Sequence, residues 1–390
     1  MYAGLPYNLI VYEGYIPSDP GALTNPPISN VIDNLDESSG RLGCGTYNVF
    51  VTQRCTSGLS CVLEDITNLH YERRLDAISE AKVEINLGGE TSYTCCQCLA
   101  DVEPWCHELH IWRDGDEVWV GPITKIAYSY SKVIIDAKDS LGWLEVRVPP
   151  IDIDFSAVAT DPVDIGEFIV QTAFAEDIVT CEVDNLYTQP SGLTTLFFAE
   201  AFSGYAIEIL QNVAEIGLDY TVLGRTIVLV GDSAPFTPLV LLNDEHIKGE
   251  IEITKNGLLQ ENRAYVHFDG DLGTPASGEA ASFFCYGPIE RLHDGAGLID
   301  GTSAGQAADI YVASAAIAPR VMEIPPGSKL IPDTPWTFDK MVPGCRVDVA
   351  IVKTCFQLTQ SFRLTEVQVD VTPQRGEEVG ITLSPIDSPA

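Results

Sequence analysis

The sequence predicts a mainly β protein of the α+β class, with strand-rich segments at both ends of the chain and a smaller α+β unit between them. Three observations carry this. Alternating apolar and polar residues, the period-two pattern of a half-buried strand, recur over residues 45–137 and again over 249–383. Two segments with helical spacing, set off by proline and glycine signals, fall within residues 161–217. The chain has 390 residues, 45% apolar and 20% charged, enough for two or three domains each with its own core.

The elements follow in order. Residues 1–43 carry Ile16-Pro17-Ser18-Asp19-Pro20-Gly21 and Asn25-Pro26-Pro27. Prolines lack a backbone donor and hold the chain extended or turned, so an extended arm or long loop is expected. An N-terminal strand domain is expected over 44–155. Its strands lie at residues 47–52 and 81–86, then in a hairpin whose arms, 108–113 and 117–120, flank Asp114-Gly115-Asp116. Further strands are expected over 123–130 and 132–137, and a short helix over 141–146. Val148-Pro149-Pro150-Ile151 reads as a domain junction.

An α+β domain is expected over 156–245. Asp161-Pro162 supplies an N-cap and first helical residue for a helix running to about Ala175, with Ile165, Phe168 and Ile169 on one face. A second helix over 205–216 has Ile207, Leu210, Val213 and Ala214 at helical spacing and Gly217 as its stop. A hairpin turned by Gly224-Arg225 follows. The C-terminal β-rich domain, 246–390, has strands at 249–255, 262–268, 346–352, 360–371 and 379–383. The Ala/Gly-rich stretch 301–318 within it reads as a helical insertion.

The charge limits the function. There are 56 acidic residues against 22 basic ones, a net −34. Affinity for nucleic acid comes from Lys and Arg neutralising phosphates, so no sequence-specific nucleic-acid binding is expected. An acidic surface keeps assemblies soluble, and the same charge would suit the wall of a conduit through which DNA passes without sticking. No run approaches the roughly 18–20 apolar residues of a membrane-spanning helix. The N-terminal Met1-Tyr2-Ala3-Gly4-Leu5-Pro6-Tyr7 has no signal-peptide pattern, so the expectation is a soluble product made in the cytoplasm.

The sharpest chemical feature is the thiols. Seven of eleven cysteines precede residue 107. Cys95, Cys96 and Cys98, with Cys106 nearby, place thiolates close enough in sequence to ligate a metal or an iron–sulfur cluster, with Cys44, Cys55 and Cys61 as further donors. Only Cys95 and Cys98 have the CxxC spacing, and there is no second such pair. Disulfides and buried reduced thiols compete with the metal reading. In Cys106-His107-Glu108-Leu109-His110, strand alternation puts Cys106 and His110 on one face and His107 on the other, a pattern of strand surface.

No catalytic motif is present: there is no HExxH, GxSxG or P-loop. Carboxylate pairs such as Asp152/Asp154 and Asp269/Asp271 are expected by chance among so many acids. The expectation is therefore a non-enzyme, with a peptidoglycan hydrolase as the reading it displaces. Trp105, Trp112, Trp119 and Trp143 lie within forty residues. Trp112 and Trp119 are the candidates for a surface that stacks on sugar, while packing of a core or a subunit contact is the alternative.

Several segments, in order, resemble one family. They are Tyr71-Glu72-Arg73-Arg74-Leu75-Asp76-Ala77, Cys95-Cys96-Gln97-Cys98-Leu99, Trp112-Arg113-Asp114-Gly115-Asp116-Glu117-Val118-Trp119-Val120-Gly121-Pro122 and Asp136-Ala137-Lys138-Asp139-Ser140-Leu141-Gly142-Trp143-Leu144. Gly217-Leu218-Asp219-Tyr220-Thr221-Val222, Tyr286-Gly287-Pro288-Ile289-Glu290, Val342-Pro343-Gly344-Cys345-Arg346-Val347 and Phe362-Arg363-Leu364-Thr365-Glu366-Val367 continue the series. Together, over residues 44–386, they are similar to minor tail proteins of long-tailed phages of actinobacteria, often called Gp37-like. The resemblance implies a tail-tip hub built of tail-tube-like β-barrel domains with a smaller α+β insertion, a homotrimeric ring in the virion. It implies tail-tube, distal-tail, tape-measure and other tip proteins as partners. A host-receptor or cell-wall binding module of the tip is the alternative. Some phage hubs hold an iron–sulfur cluster, which bears on the thiol-ligand reading of Cys95, Cys96, Cys98 and Cys106.

Overall fold

A computed structural model describes residues 41–54, 59–87, 98–174, 186–231, 236–249, 251–255, 257–267, 276–279, 283–294, 304–305, 308–309, 311–312, 320–351 and 358–385. The expected arm lies almost wholly outside these residues.

Seven strands form the N-terminal part: β1 (Tyr47–Gln53), β2 (Leu59–Val62), β3 (Ile66–Arg74), β4 (Glu80–Asn86), β5 (His107–Arg113), β6 (Asp116–Tyr128) and β7 (Lys132–Lys138). Asp114 and Gly115, between β5 and β6, both have positive φ, 53° and 99°, the requirement of a tight primed hairpin turn. The two strands expected at 117–120 and 123–130 are one. β6 pairs with β5 through Pro122 and with β7 from Ile123 on, so the proline without an N–H stands where the strand changes partner.

The middle part comprises β8 (Ile153–Thr160), α1 (Pro162–Phe174), β9 (Leu186–Gln189), β10 (Thr195–Ala199), α2 (Ala206–Ala214), β11 (Leu218–Leu223) and β12 (Thr226–Gly231). Asp161 accepts from Val163 N at 2.9 Å and caps α1 as expected. Gly217, with φ 113°, ends the second helical segment. Ile165, Ile169, Ile207, Leu210 and Val213 are buried against β11 and β12 in a core that also takes Trp143 and Leu144. The described residues of this part form an α+β unit with its own core.

The C-terminal part contains β13 (Phe236–Asn243), β14 (Ile247–Lys248), β15 (Glu252–Lys255), β16 (Arg263–His267), β17 (Ala276–Glu279), α3 (Phe283–Tyr286), β18 (Glu290–Asp294), β19 (Arg320–Glu323), β20 (Ser328–Leu330), β21 (Cys345–Ile351), β22 (Leu358–Thr372) and β23 (Gly376–Pro385). Of the stretch expected as a helical insertion, residues 304–305, 308–309 and 311–312 are helical and the others lie outside the described set.

The mainly β class stands, but the strands do not close into barrels among the described residues. They form a continuous 13-stranded sheet in the order β14-β20-β23-β22-β3-β4-β7-β6-β5-β1-β2, with β21 branching from β22 and β13 from β21. The join is β3 against β22, antiparallel from Leu69↔Val371 to Arg74↔Glu366. It carries the sheet across the two expected β domains, which share one buried core. No helix among the described residues is long and apolar enough to cross a membrane.

The middle unit is seated by Asp139. This buried carboxylate accepts from Ser79 N at 2.8 Å and from Leu141 N at 3.0 Å, joining β4 to the 3-10 turn Ser140–Glu145 that carries Trp143 into the second core. Burial pushes its carboxyl up to about 7 from 3.8, over the opposing pull of those donors, and Glu72 adds to the rise. Between these two values the folded chain keeps a proton that the unfolded chain has released. The stability tied to this group is thus complete below the lower value and is lost as pH rises through the upper one. We expect wild type to gain about 2 kcal/mol more than Asp139→Asn when pH falls from about 8 to about 5. Thermal midpoints of both proteins at both pH values measure it, and an equal gain in the two would contradict the assignment.

Candidate functional site

The most developed polar site is a buried clasp beside the β5–β6 hairpin. Arg113 Nε and Nη2 donate to the two carboxylate oxygens of Glu377 at 3.0 and 3.2 Å, across 264 residues of sequence. Both side chains are essentially excluded from solvent, 2% and 1% exposed. Glu377 also accepts from Gly43 N, Gly45 N and Tyr47 Oη, each at 3.1 Å. Arg113 donates further to Arg41 O at 2.6 Å and to Asp114 at 2.9 Å. The chain entering β1, the end of β5 and the start of β23 are thereby tied at one point. A carboxylate taken from water is tolerable only with such a full set of partners. Burial works to lower the Arg113 pKa, but its hydrogen bonds and the charge of Glu377 raise it above its ordinary value.

Around the clasp, Arg73 and Arg113 lie over the Phe338 ring at 4.5 and 5.3 Å. Tyr71 meets both Tyr47 and Phe338 edge-on at 6.2 Å. Burial raises the Tyr47 and Tyr71 phenols well above their ordinary range, so they serve as neutral hydrogen-bonding and packing groups. The site holds charge and aromatic rings packed closely on one another. Its chemistry is fastening.

The residues expected from sequence are scattered. Cys98 is bonded to Cys61 in a disulfide with Cα atoms 5.6 Å apart, which joins β2 to the segment before β5. Its sulfur is then not a thiolate ligand. Cys106 and Cys44 are exposed free thiols, while Cys95, Cys96 and Cys55 lie outside the described residues. No group of three or more His, Cys, Asp or Glu among the described residues is arranged to hold a metal ion. Of the proposed set Cys95, Cys96, Cys98 and Cys106, the two described residues are thus a disulfide sulfur and an exposed thiol. Burial pushes the Cys345 thiol up to about 12, making it an inert core group.

His110 is not strand surface. It is buried, with Nε2 on Thr52 Oγ1 at 2.8 Å and Nδ1 on Glu117 at 2.6 Å, so both ring nitrogens are occupied. Alternation misled here because β5 is covered on both faces. Trp119 is 2% exposed and Trp112 half-buried. Trp105 packs on Trp143 at 5.2 Å, beneath Arg54. The tryptophans therefore do not present a joint sugar-stacking face. Asp152 accepts from Ala201 N at 2.8 Å and Asp154 from Ser156, so both are engaged in local hydrogen bonds. Asp269 and Asp271 lie outside the described residues.

With the continuous sheet and inserted α+β unit in view, the comparisons decide the fold. It is the fold of phage-type tail proteins. A tail protein from Neisseria meningitidis is similar over 86% of this chain and 96% of its own, with a TM-score of 0.52 and 11% identity. The 43 kDa tail protein of a Shewanella oneidensis prophage covers 87% and 98%, with a TM-score of 0.54 and 12% identity. A Listeria monocytogenes prophage tail protein covers 86% and 94%, with a TM-score of 0.50 and 9% identity. No family model and no curated protein matches the sequence.

Sequence reading missed the clasp. Glu377 stands in a polar turn region, Arg375-Gly376-Glu377-Glu378, with nothing local to mark it as buried. The one signal is the pair Gly43 and Gly45. A Cβ on Gly45 would collide with Glu377 Oε2 and Arg113 Nε, so the backbone can approach only as glycine.

Glu377→Leu should lower stability by about 3–5 kcal/mol, because it strands Arg113 in the interior. Gly45→Ala should destabilise too, by forcing the pair apart. Urea unfolding midpoints report both, and a loss below about 1 kcal/mol for Glu377→Leu would mean the pair is dispensable. For the disulfide, a non-reducing digest should yield Cys61 and Cys98 in one cross-linked peptide. Cys98→Ser should cost about 2–4 kcal/mol. Separate peptides carrying free thiols would refute the pairing.

Proposed function

We propose that this chain is a structural subunit of a phage-type tail, the tip hub that closes the tail tube as a homotrimeric ring. The observation that carries the reading is the agreement of fold along nearly the whole of both chains with solved tail proteins. The ordered segments similar to the Gp37-like minor tail proteins support the finer assignment to the tip. The role needs rigidity rather than turnover, and the polar groups of the buried interior serve as fasteners. Its partners are the tail-tube, distal-tail, tape-measure and other tip proteins.

The charge supports the same role. With 56 acids against 22 bases, a ring of copies repels the phosphates of DNA, so a genome can pass its wall without adsorbing. The receptor-binding alternative relied on Trp112 and Trp119, and the burial of Trp119 argues against it.

Antibodies against the chain should label one end of the tail in electron micrographs of the particles that contain it, and the purified chain should sediment as a trimer. Label spread along the shaft, or absent from the particle, would overturn the reading.

A further inference from the structure

The middle unit carries an exposed apolar surface, and the inference drawn from it does not rest on the tail-hub reading. β8 and β10 form a sheet of their own with two strands. Its inner face packs on α1, where Phe155 meets Phe168 edge-on at 5.6 Å, and Phe197 lies opposite Phe155 on the same side. Alternation turns Leu196 and Phe198 outward, 59% and 56% exposed, and Val158, beyond a register shift in the ladder, is 69% exposed. Ile151 and Phe202 extend the apolar surface, since Phe202 N donates to Pro149 O and Ala201 N to Asp152.

Two further observations distinguish this face from a chance patch. Phe202 is 71% exposed and holds a φ of 58°. The left-handed region is unfavourable for a bulky side chain, and such strain concentrates where a residue is displayed for contact. The second is charge. Residues 148–224 contain thirteen Asp or Glu and no Lys, Arg or His. Asp152, Asp154 and Glu200, all exposed, border the apolar surface. A second copy docking by this same face would bring carboxylates against carboxylates. Nucleic acid and anionic lipid are repelled for the same reason.

We propose that the β8–β10 face docks an extended segment of a different protein, apolar along one side and flanked by Lys or Arg. Among the described residues each of these strands pairs only with the other. An added strand can therefore take main-chain hydrogen bonds from an edge that no described strand occupies. Its apolar side chains cover Leu196, Phe198 and Phe202, while its cations meet Asp152, Asp154 and Glu200.

The test titrates the full chain with a short soluble peptide of alternating Val and Lys, and with its Val/Glu counterpart, by calorimetry. The Val/Lys peptide should bind, about tenfold more weakly once salt screens the rim. The Val/Glu peptide should not bind. Phe198→Ser combined with Phe202→Gly should weaken binding at least about tenfold without lowering the thermal midpoint, because both side chains are exposed and glycine relieves the left-handed backbone. Equal binding of the two peptides, undiminished binding by the double variant, or no binding by wild type would overturn the proposal. Self-association of wild type that the double variant abolishes would overturn it too, by making a second copy the occupant.

Discussion

Everything else in the fold depends on the pairing of β3 with β22. These strands lie about three hundred residues apart, and their ladder makes one sheet of what would otherwise be two sheets with open edges. β22 also holds β21 and β23, so β3 is bound into the framework of the C-terminal part. The Arg113–Glu377 clasp works on the same division. It brings charge from opposite ends of the chain into a site where either group alone would be severely destabilising. Strand pairing supplies the continuity, and the clasp penalises any arrangement in which the two ends are not in register.

The middle unit is attached by a different logic. It has its own core and meets the main sheet through the β11–β12 hairpin. Tyr220 Oη donates to Asp76 O at 2.7 Å, Arg225 reaches the buried Glu108 at 2.9 Å, and Arg363 pairs with Asp219. These contacts hold the hairpin firmly. They leave the β8–β10 sheet with exposed apolar residues and an acidic border. A rigid scaffold presenting a chemically distinct face is the arrangement expected where recognition is to be carried by a small part of a structural protein.

The scarcity of cations gives both features their meaning. Arg113, Arg225, Lys132, Lys138 and Lys329 are engaged with carboxylates of the same chain. Internal pairing therefore takes up much of the positive charge, and the excess acids face outward. The overall charge of −34 is a property of the surface more than of the interior. Repulsion of other polyanions follows from the same composition, and the proposed preference for a basic partner rests on it too.

What the sequence determined by itself was local. Alternation located β1, β4, β5 and the strands from β21 on, and Asp114-Gly115 specified a tight turn. Asp161-Pro162 began α1, and Gly217 ended the second helical segment, because each depends on nearest neighbours and backbone preference. The ordered family segments reached the tail-protein fold. Tertiary structure alone decided the partners. β3 reads as polar, yet it is central, because His70 finds Asp370 and Arg73 finds Val118 O. Likewise β6 runs through Gly121-Pro122 because its partner changes there. Cys98 finds Cys61, His110 is enclosed, Trp119 enters the core, and the strands join in an open sheet rather than closed barrels among the described residues. Each of these outcomes is set by a group distant in sequence. Periodicity records which side of an element is buried, but not what buries it.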